Sequence, residues 1–326
     1  MTAPESNPES HFPWTHGTHT GLVSIGLHSL FLRASGLARM SPSQPAVIIE
    51  AGLGGSSSEW VAAQRLISQF ARVYSYDRAG YAHSITAGPD PLPASARPPT
   101  ATKRVEELTK LLENAGVAPP WVIVGHSYGG ILVREFLLRH GKEKVVGMVI
   151  VDSAITRTKL PDDWFTLLGD STYQEVVGLD KNHCLTDEEY AQLQKEETSN
   201  QPTVVLEEAE MPESTNSVNE RISGKQLLGD GRLSVIFANE SVDFRKVYEW
   251  GVKHGNGTEV AREALRKRLE YMGEIDEKGQ RAHLSLSSDS KFVYAEGIAR
   301  THNLQIVKPE VIVDEIKWVL AGTKSL

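Results

Sequence analysis

The chain has 326 residues, with 42 acidic against 34 basic side chains, a net charge of −8, and 40% hydrophobic and 23% charged residues. That is the balance of a soluble globular chain with apolar material for a core able to enclose a site, and without a basic run it excludes nucleic acid as an expected partner. No apolar run approaches a bilayer span, so no membrane partner is expected, and Cys184, the sole cysteine, excludes an intrachain disulfide.

Residues 1–20 are polar, acidic and proline-containing, and read as a loose leader. They lack the basic start and apolar segment of a signal peptide, so a reducing, cytoplasmic location is expected. On that expectation the sequons at Asn239 and Asn256 are chance matches. His16 and His19 have no carboxylate or cysteine set to complete a metal site, so neither a metal nor a cofactor is expected. The partly alternating run 22–33 predicts two strands or a hairpin at a sheet edge. Ala46 to Glu50 is a short apolar strand that runs into a glycine-rich segment, 51–58, and then a helix from Glu59 to Phe70. A further strand, Arg72 to Tyr76, stops at Asp77-Arg78, and 86–100 reads as an exposed loop. A helix through Val105 and Leu112, a strand at 121–124, a helix from Gly129 to His140 and a strand at 145–151 follow. Short apolar strands alternating with helices are the signature of an α/β protein, a parallel sheet covered on both faces. The alternation breaks near Ser153, resumes at Leu233 to Phe237, and after a charged helical stretch, 241–286, ends with a strand at 292–295 and a helix from Val307 to Leu320. The predicted organisation is therefore a core of 21–153 and 229–326 interrupted by a cap, 154–228.

Gly125-His-Ser-Tyr-Gly129 fits G-x-S-x-G and lies between a predicted strand and a predicted helix, the context that this motif needs. A serine on such a tight turn presents its hydroxyl above the sheet edge, and the helix N-terminus beneath favours negative charge. Ser127 is thus the candidate nucleophile. It needs a base held by an acid, and on such an elbow the chain order is serine, acid, histidine. Of the eleven histidines, His302 alone falls after the last strand and before the final helix. For the acid, Asp152 directly follows its strand and is preferred on position; Asp243 and Glu240, after the next strand, are the alternatives. The oxyanion donors expected are the amides of Tyr128, which follows the nucleophile, and of Leu53 in the glycine-rich loop, with Gly54 second. Gly52 and Gly54 let that loop approach a ligand, and a phosphate-binding reading fails because no Gly-Lys-Ser/Thr follows.

The ordered landmarks Glu50-Ala-Gly-Leu-Gly-Gly-Ser, Tyr76-Asp-Arg-Ala-Gly-Tyr81, Gly125-His-Ser-Tyr-Gly-Gly130, Val151-Asp-Ser153 and the late His302 resemble the α/β-hydrolase superfamily over about residues 45–320. The resemblance implies an eight-stranded, mostly parallel sheet with helices on both faces, a Ser–His–acid triad, and a cap between strands six and seven. Two departures stand out. Glu50-Ala51 occupies the place where many members carry His-Gly, and the preferred acid follows strand six, a placement similar to that of zearalenone-type lactonases. In the family the turn carrying Asp77-Arg78 is more often a brace for loops near the site.

The expected chemistry is hydrolysis of an ester or lactone through an acyl-enzyme on Ser127. The same constellation also serves carbon–carbon hydrolysis, thioester release, acyl transfer and cyclisation in natural-product pathways, and a non-catalytic receptor is the alternative of another class. Carboxylate-nucleophile hydrolases are disfavoured because this position is a serine. Cap residues Trp164, Phe165, Leu167, Leu168 and Tyr173 suggest an apolar small-molecule substrate, with Trp164 the candidate contact.

Overall fold

The computed structural model describes residues 13–84, 90–155 and 159–323; the first twelve residues of the predicted leader and 86–89 of the predicted loop lie outside these. The apolar runs form one eight-stranded sheet: β1 (His19–Ser24), β2 (Ser29–Ser35), β3 (Ala46–Glu50), β4 (Val73–Tyr76), β5 (Trp121–His126), β6 (Val145–Val151), β7 (Arg232–Phe237) and β8 (Ser290–Tyr294). Their spatial order is β1-β2-β4-β3-β5-β6-β7-β8. The run 22–33 is a hairpin, β1 against β2, and β2 is antiparallel to β4; every other pair is parallel.

Every residue of β3, β4 and β5 is buried, which is why these strands read as continuous apolar runs. Successive side chains point to opposite faces, so Ile48, Ile123 and Met148 join one apolar cluster while Val47, Ile49, Val122, Val124 and Val149 join the other. Helices α1 (Val61–Ile67), α2 (Ala101–Asn114) and α3 (Gly129–His140) lie between strands of the first part of the sheet. Between β6 and β7 the chain forms α4 (Tyr173–Val177), α5 (Leu179–Asn182) and α6 (Asp187–Ile222). Helices α7 (Ser241–His254), α8 (Glu259–Leu269) and α9 (Met272–Arg281) precede β8; α10 (Leu304–Val307) and α11 (Glu310–Gly322) end the described chain. Among the described residues no helix is long and apolar enough to cross a membrane.

Two elements differ from expectation. The chain enters the sheet at His19, and the end of the predicted leader is fastened down: buried Arg72 donates to the carbonyls of Trp14 and Gly17, and the Tyr74 hydroxyl to that of Trp14. The mixed stretch 187–222 is one helix of 36 residues despite Pro202 and Pro212, opened by a capping box between Thr186 and Glu189. Its buried residues recur every three, four or seven positions, on one face of the helix, but Glu196, Asn200, Thr203, Glu207 and Ser214 are among them. The polar face of α6 points inward, onto the core.

Candidate active site

Ser127 lies between the end of β5 and the start of α3 with φ +52°, a conformation that ordinary side chains rarely adopt. The elbow is tight enough that its two glycines are obligatory. A Cβ on Gly125 would come within 2.7 Å of the Gly129 carbonyl oxygen, and one on Gly129 within 2.5 Å of the Glu50 carbonyl oxygen. Gly129→Ala should therefore push the elbow off the oxyanion loop and destabilise the fold by about 1–3 kcal/mol, the usual range for overpacking; chemical denaturation measures it, and an unchanged midpoint would mean that the elbow can give way.

His302 is held at three points. Its Nδ1 is 2.7 Å from Asp152 Oδ2 and, facing a carboxylate, must carry the proton. Its backbone amide donates to Asp243 Oδ2 at 2.8 Å, and its backbone carbonyl accepts from His126 Nε2 at 2.8 Å. The Asp243 carboxylate, which also accepts from Thr301 Oγ1 at 2.8 Å, thus grips the loop, whereas Asp152 grips the ring. Glu240 Oε1 stands 4.0 Å from the other ring nitrogen, Nε2. Asp152, with φ +44°, is buried, and its Oδ1 accepts from the Ala238 and Asn239 amides and from Gln280 Nε2 at 2.9–3.2 Å. Burial alone would raise its carboxyl, but the His302 hydrogen bond and charge, with Gln280 and the Ala238 amide, outweigh burial and hold it below the ordinary carboxylate range. His126, the variable residue inside the motif, carries no signal in sequence for its hold on His302.

The short helical turn after α9 supports the same corner. His283 is buried, and its Nε2 donates to the Ser153 carbonyl at 2.7 Å. Burial, with the charge of Arg134, pushes its imidazole down from 6.5 to about 3. Between those values the unfolded chain binds a proton that the folded chain refuses, so stability falls as pH drops below 6.5, by up to about 1.4 kcal/mol per pH unit. His283→Gln should flatten the slope of unfolding free energy against pH between 6 and 4.5; an equal slope in both proteins would assign the acid sensitivity elsewhere.

Leu53 lies in the loop after β3 and Tyr128 on the elbow after β5; these carry the amides expected as oxyanion donors. Among the described residues neither the Leu53 nor the Tyr128 amide donates to a protein acceptor. The loop is clamped from behind by buried Arg78, which donates to the carbonyls of Ala51 at 2.8 Å and Gly52 at 2.6 Å. Arg78 is itself paired with Glu50 at 2.8 Å and with Glu207 of α6 at 3.0 Å. Arg104 and Tyr81 also reach Glu207, at 2.7 and 2.6 Å, and Asn200 of α6 donates to the Gly54 carbonyl at 2.8 Å. The Glu50 that replaces the family's histidine is thus the partner of Arg78, and the inward polar face of α6 ties the cap to the oxyanion loop.

Gly52, Leu53, Gly54, His126, Ser127 and His302 border one cavity of about 270 Å3. Trp164 lies elsewhere. It borders a second cavity of about 830 Å3 with Leu160, Met211 and Met272, and packs edge-on against Phe244 with ring centres 5.1 Å apart. Leu53 borders both cavities. Of the other cap side chains expected near the substrate, Leu167 is buried in a cluster of its own, Phe165 is exposed, and Tyr173 reaches the smaller cavity.

Comparison with known proteins agrees with this architecture. A family profile described as the alpha/beta hydrolase fold matches residues 45–207. An AB hydrolase superfamily protein of Gibberella zeae is 31% identical over 319 residues, 92% of this chain and 95% of that protein. A Hormonema carpetanum protein named as the transporter efuK is 32% identical over 95% of this chain, yet the chain spans only 44% of that relative's length. Among solved structures, the CarC serine hydrolase involved in carbazole degradation superposes with a TM-score of 0.58 at 17% identity, covering 94% of this chain and 99% of that one. A serine hydrolase of the hydrocarbon-degrading bacterium Cycloclasticus zankles gives 0.58 at 14% identity, covering 95% and 100%. With its eight-stranded sheet, its strained elbow and a relative matched over nearly its whole length, the chain belongs to the α/β-hydrolase superfamily.

Proposed function

We propose that the protein hydrolyses a carboxylic ester or lactone through an acyl-enzyme on Ser127. The observation that carries this reading is the 2.7 Å bond between His302 and Asp152, beside a cavity that Ser127 shares with His302. With Nδ1 committed to Asp152, Nε2 takes the Ser127 proton as Oγ attacks the substrate carbonyl carbon. The charge that develops on the carbonyl oxygen meets the Leu53 and Tyr128 amides, backed by the N-terminus of α3. Collapse of the tetrahedral intermediate breaks the bond to the alkoxide, which leaves with the proton from His302. A water then gives its proton to His302, attacks the acyl carbon, and releases the acid and free Ser127. The larger cavity, walled by Trp164, Met211 and Met272, accommodates an apolar limb reaching past Leu53.

Incubation with a fluorophosphonate probe should label Ser127, and Ser127→Ala should abolish both labelling and ester turnover. A folded wild-type protein that resists the probe while Asp152 and His302 are intact would contradict the reading.

A further inference from the structure

The cavity beside Ser127 contains two carboxylates that ester hydrolysis leaves without a task. Glu59, from the turn Ser57–Trp60, and Glu197, from α6, both border it. Burial, reinforced by the charge of Glu197, pushes the Glu59 carboxyl up to about 8, and burial pushes Glu197 up to about 7. Their side-chain donors are neutral amides: Gln305 Nε2 reaches Glu59 at 3.4 Å, and Gln174 Nε2 donates to Glu197. Among the described residues no lysine or arginine lines the cavity. Independently of the acidic pair, Gln305 is only 1% exposed and borders the same cavity, and its Oε1 has no hydrogen-bond partner among the described residues. Buried acceptors of this kind are normally satisfied, and because Gln305 borders the cavity, a small turn of its amide lets a donor from a bound ligand supply the missing partner.

We propose that this cavity selects a substrate whose smaller limb ends in a primary ammonium, held by Glu59, Glu197 and Gln305 Oε1 while the carbonyl lies at Ser127. An ammonium carries three N–H donors and no acceptor, which matches three acceptor side chains bordering one cavity. Its charge replaces the proton that two neighbouring half-buried carboxylates otherwise retain, whereas an alkyl end would strip water from both without compensation. The inference rests on the hydrolase reading above and adds the class of substrate.

The test compares p-nitrophenyl 6-aminohexanoate with p-nitrophenyl heptanoate, esters of equal chain length. The wild-type protein should favour the amino ester by at least about tenfold in kcat/KM, as hydrogen bonds to charged groups allow. The double variant Glu59→Gln, Glu197→Gln should bring the ratio to about one, fluorophosphonate labelling of Ser127 reporting that it is folded. A wild-type ratio at or below one, or a ratio unmoved in the labelled double variant, overturns the proposal and leaves the hydrolase reading standing. Absence of labelling in the wild type overturns both. Should the double variant fail to fold, hexylammonium should still slow labelling of the wild type more than 1-hexanol at equal concentration; equal protection overturns the proposal.

Discussion

Replacing Asp152 with asparagine is expected to lower kcat about ten-thousandfold with little change in KM. The reason lies in the donors around the carboxylate. Oδ1 already accepts from Ala238, Asn239 and Gln280. An asparagine would keep its oxygen toward those three and turn its NH2 toward His302 Nδ1. The imidazole would then have to accept at Nδ1 and carry its hydrogen on Nε2, the nitrogen that must receive the serine proton. Asp243→Asn perturbs the grip on the His302 amide and Thr301, not the ring, and should cost far less in kcat, on the order of tenfold, by loosening the loop. Steady-state kinetics on both variants decide the matter: full turnover in Asp152→Asn, or a larger loss in Asp243→Asn, would transfer the role of acid to Asp243.

The second large effect is expected from Arg78→Met. It removes the donors to the Ala51 and Gly52 carbonyls and leaves Glu50 buried without its cation, while Glu207 keeps Arg104. Breaking a buried pair in this way costs about 3–5 kcal/mol of stability. In the fraction that remains folded, a displaced Leu53 amide should lower kcat by about a hundredfold, the cost of one oxyanion donor. Arg78→Lys should not restore the rate, because a single ammonium cannot span two carbonyls and two carboxylates as the planar fork does. Denaturation and fluorophosphonate labelling rates separate the two losses. A variant that is destabilised but labels at the wild-type rate would make Arg78 a structural brace with no hold on the amide.

These expectations also mark what could be read from residues alone. Strands β3, β5 and β6 are buried on both faces and announce themselves as apolar runs, and the elbow announces itself because two glycines must flank Ser127. Chain order singles out His302, and position at a strand end prefers Asp152 over Asp243 and Glu240; the structure brings His302 and Asp152 to 2.7 Å. Helix α6 was not legible, because apolar periodicity is the signal for a helix and its buried face is built from Glu196, Asn200, Thr203 and Glu207. For the same reason the pairing of Arg78 with Glu50 and Glu207, the latter 129 positions away, has no local signature. The cap side chains suggested an apolar substrate by composition; Leu167 packs within the cap cluster, Trp164 borders the larger cavity and packs on Phe244 of α7, and polar Glu59, Glu197 and Gln305 stand at the cavity beside Ser127.

The central claim is covalent, and an acyl adduct tests it most directly. Rapid acid quench of the wild-type protein during turnover of a p-nitrophenyl ester, followed by digestion and mass spectrometry, should find the acyl group on the peptide carrying Ser127 and nowhere else. Turnover that proceeds with no adduct, or with the adduct on another residue, would contradict the mechanism.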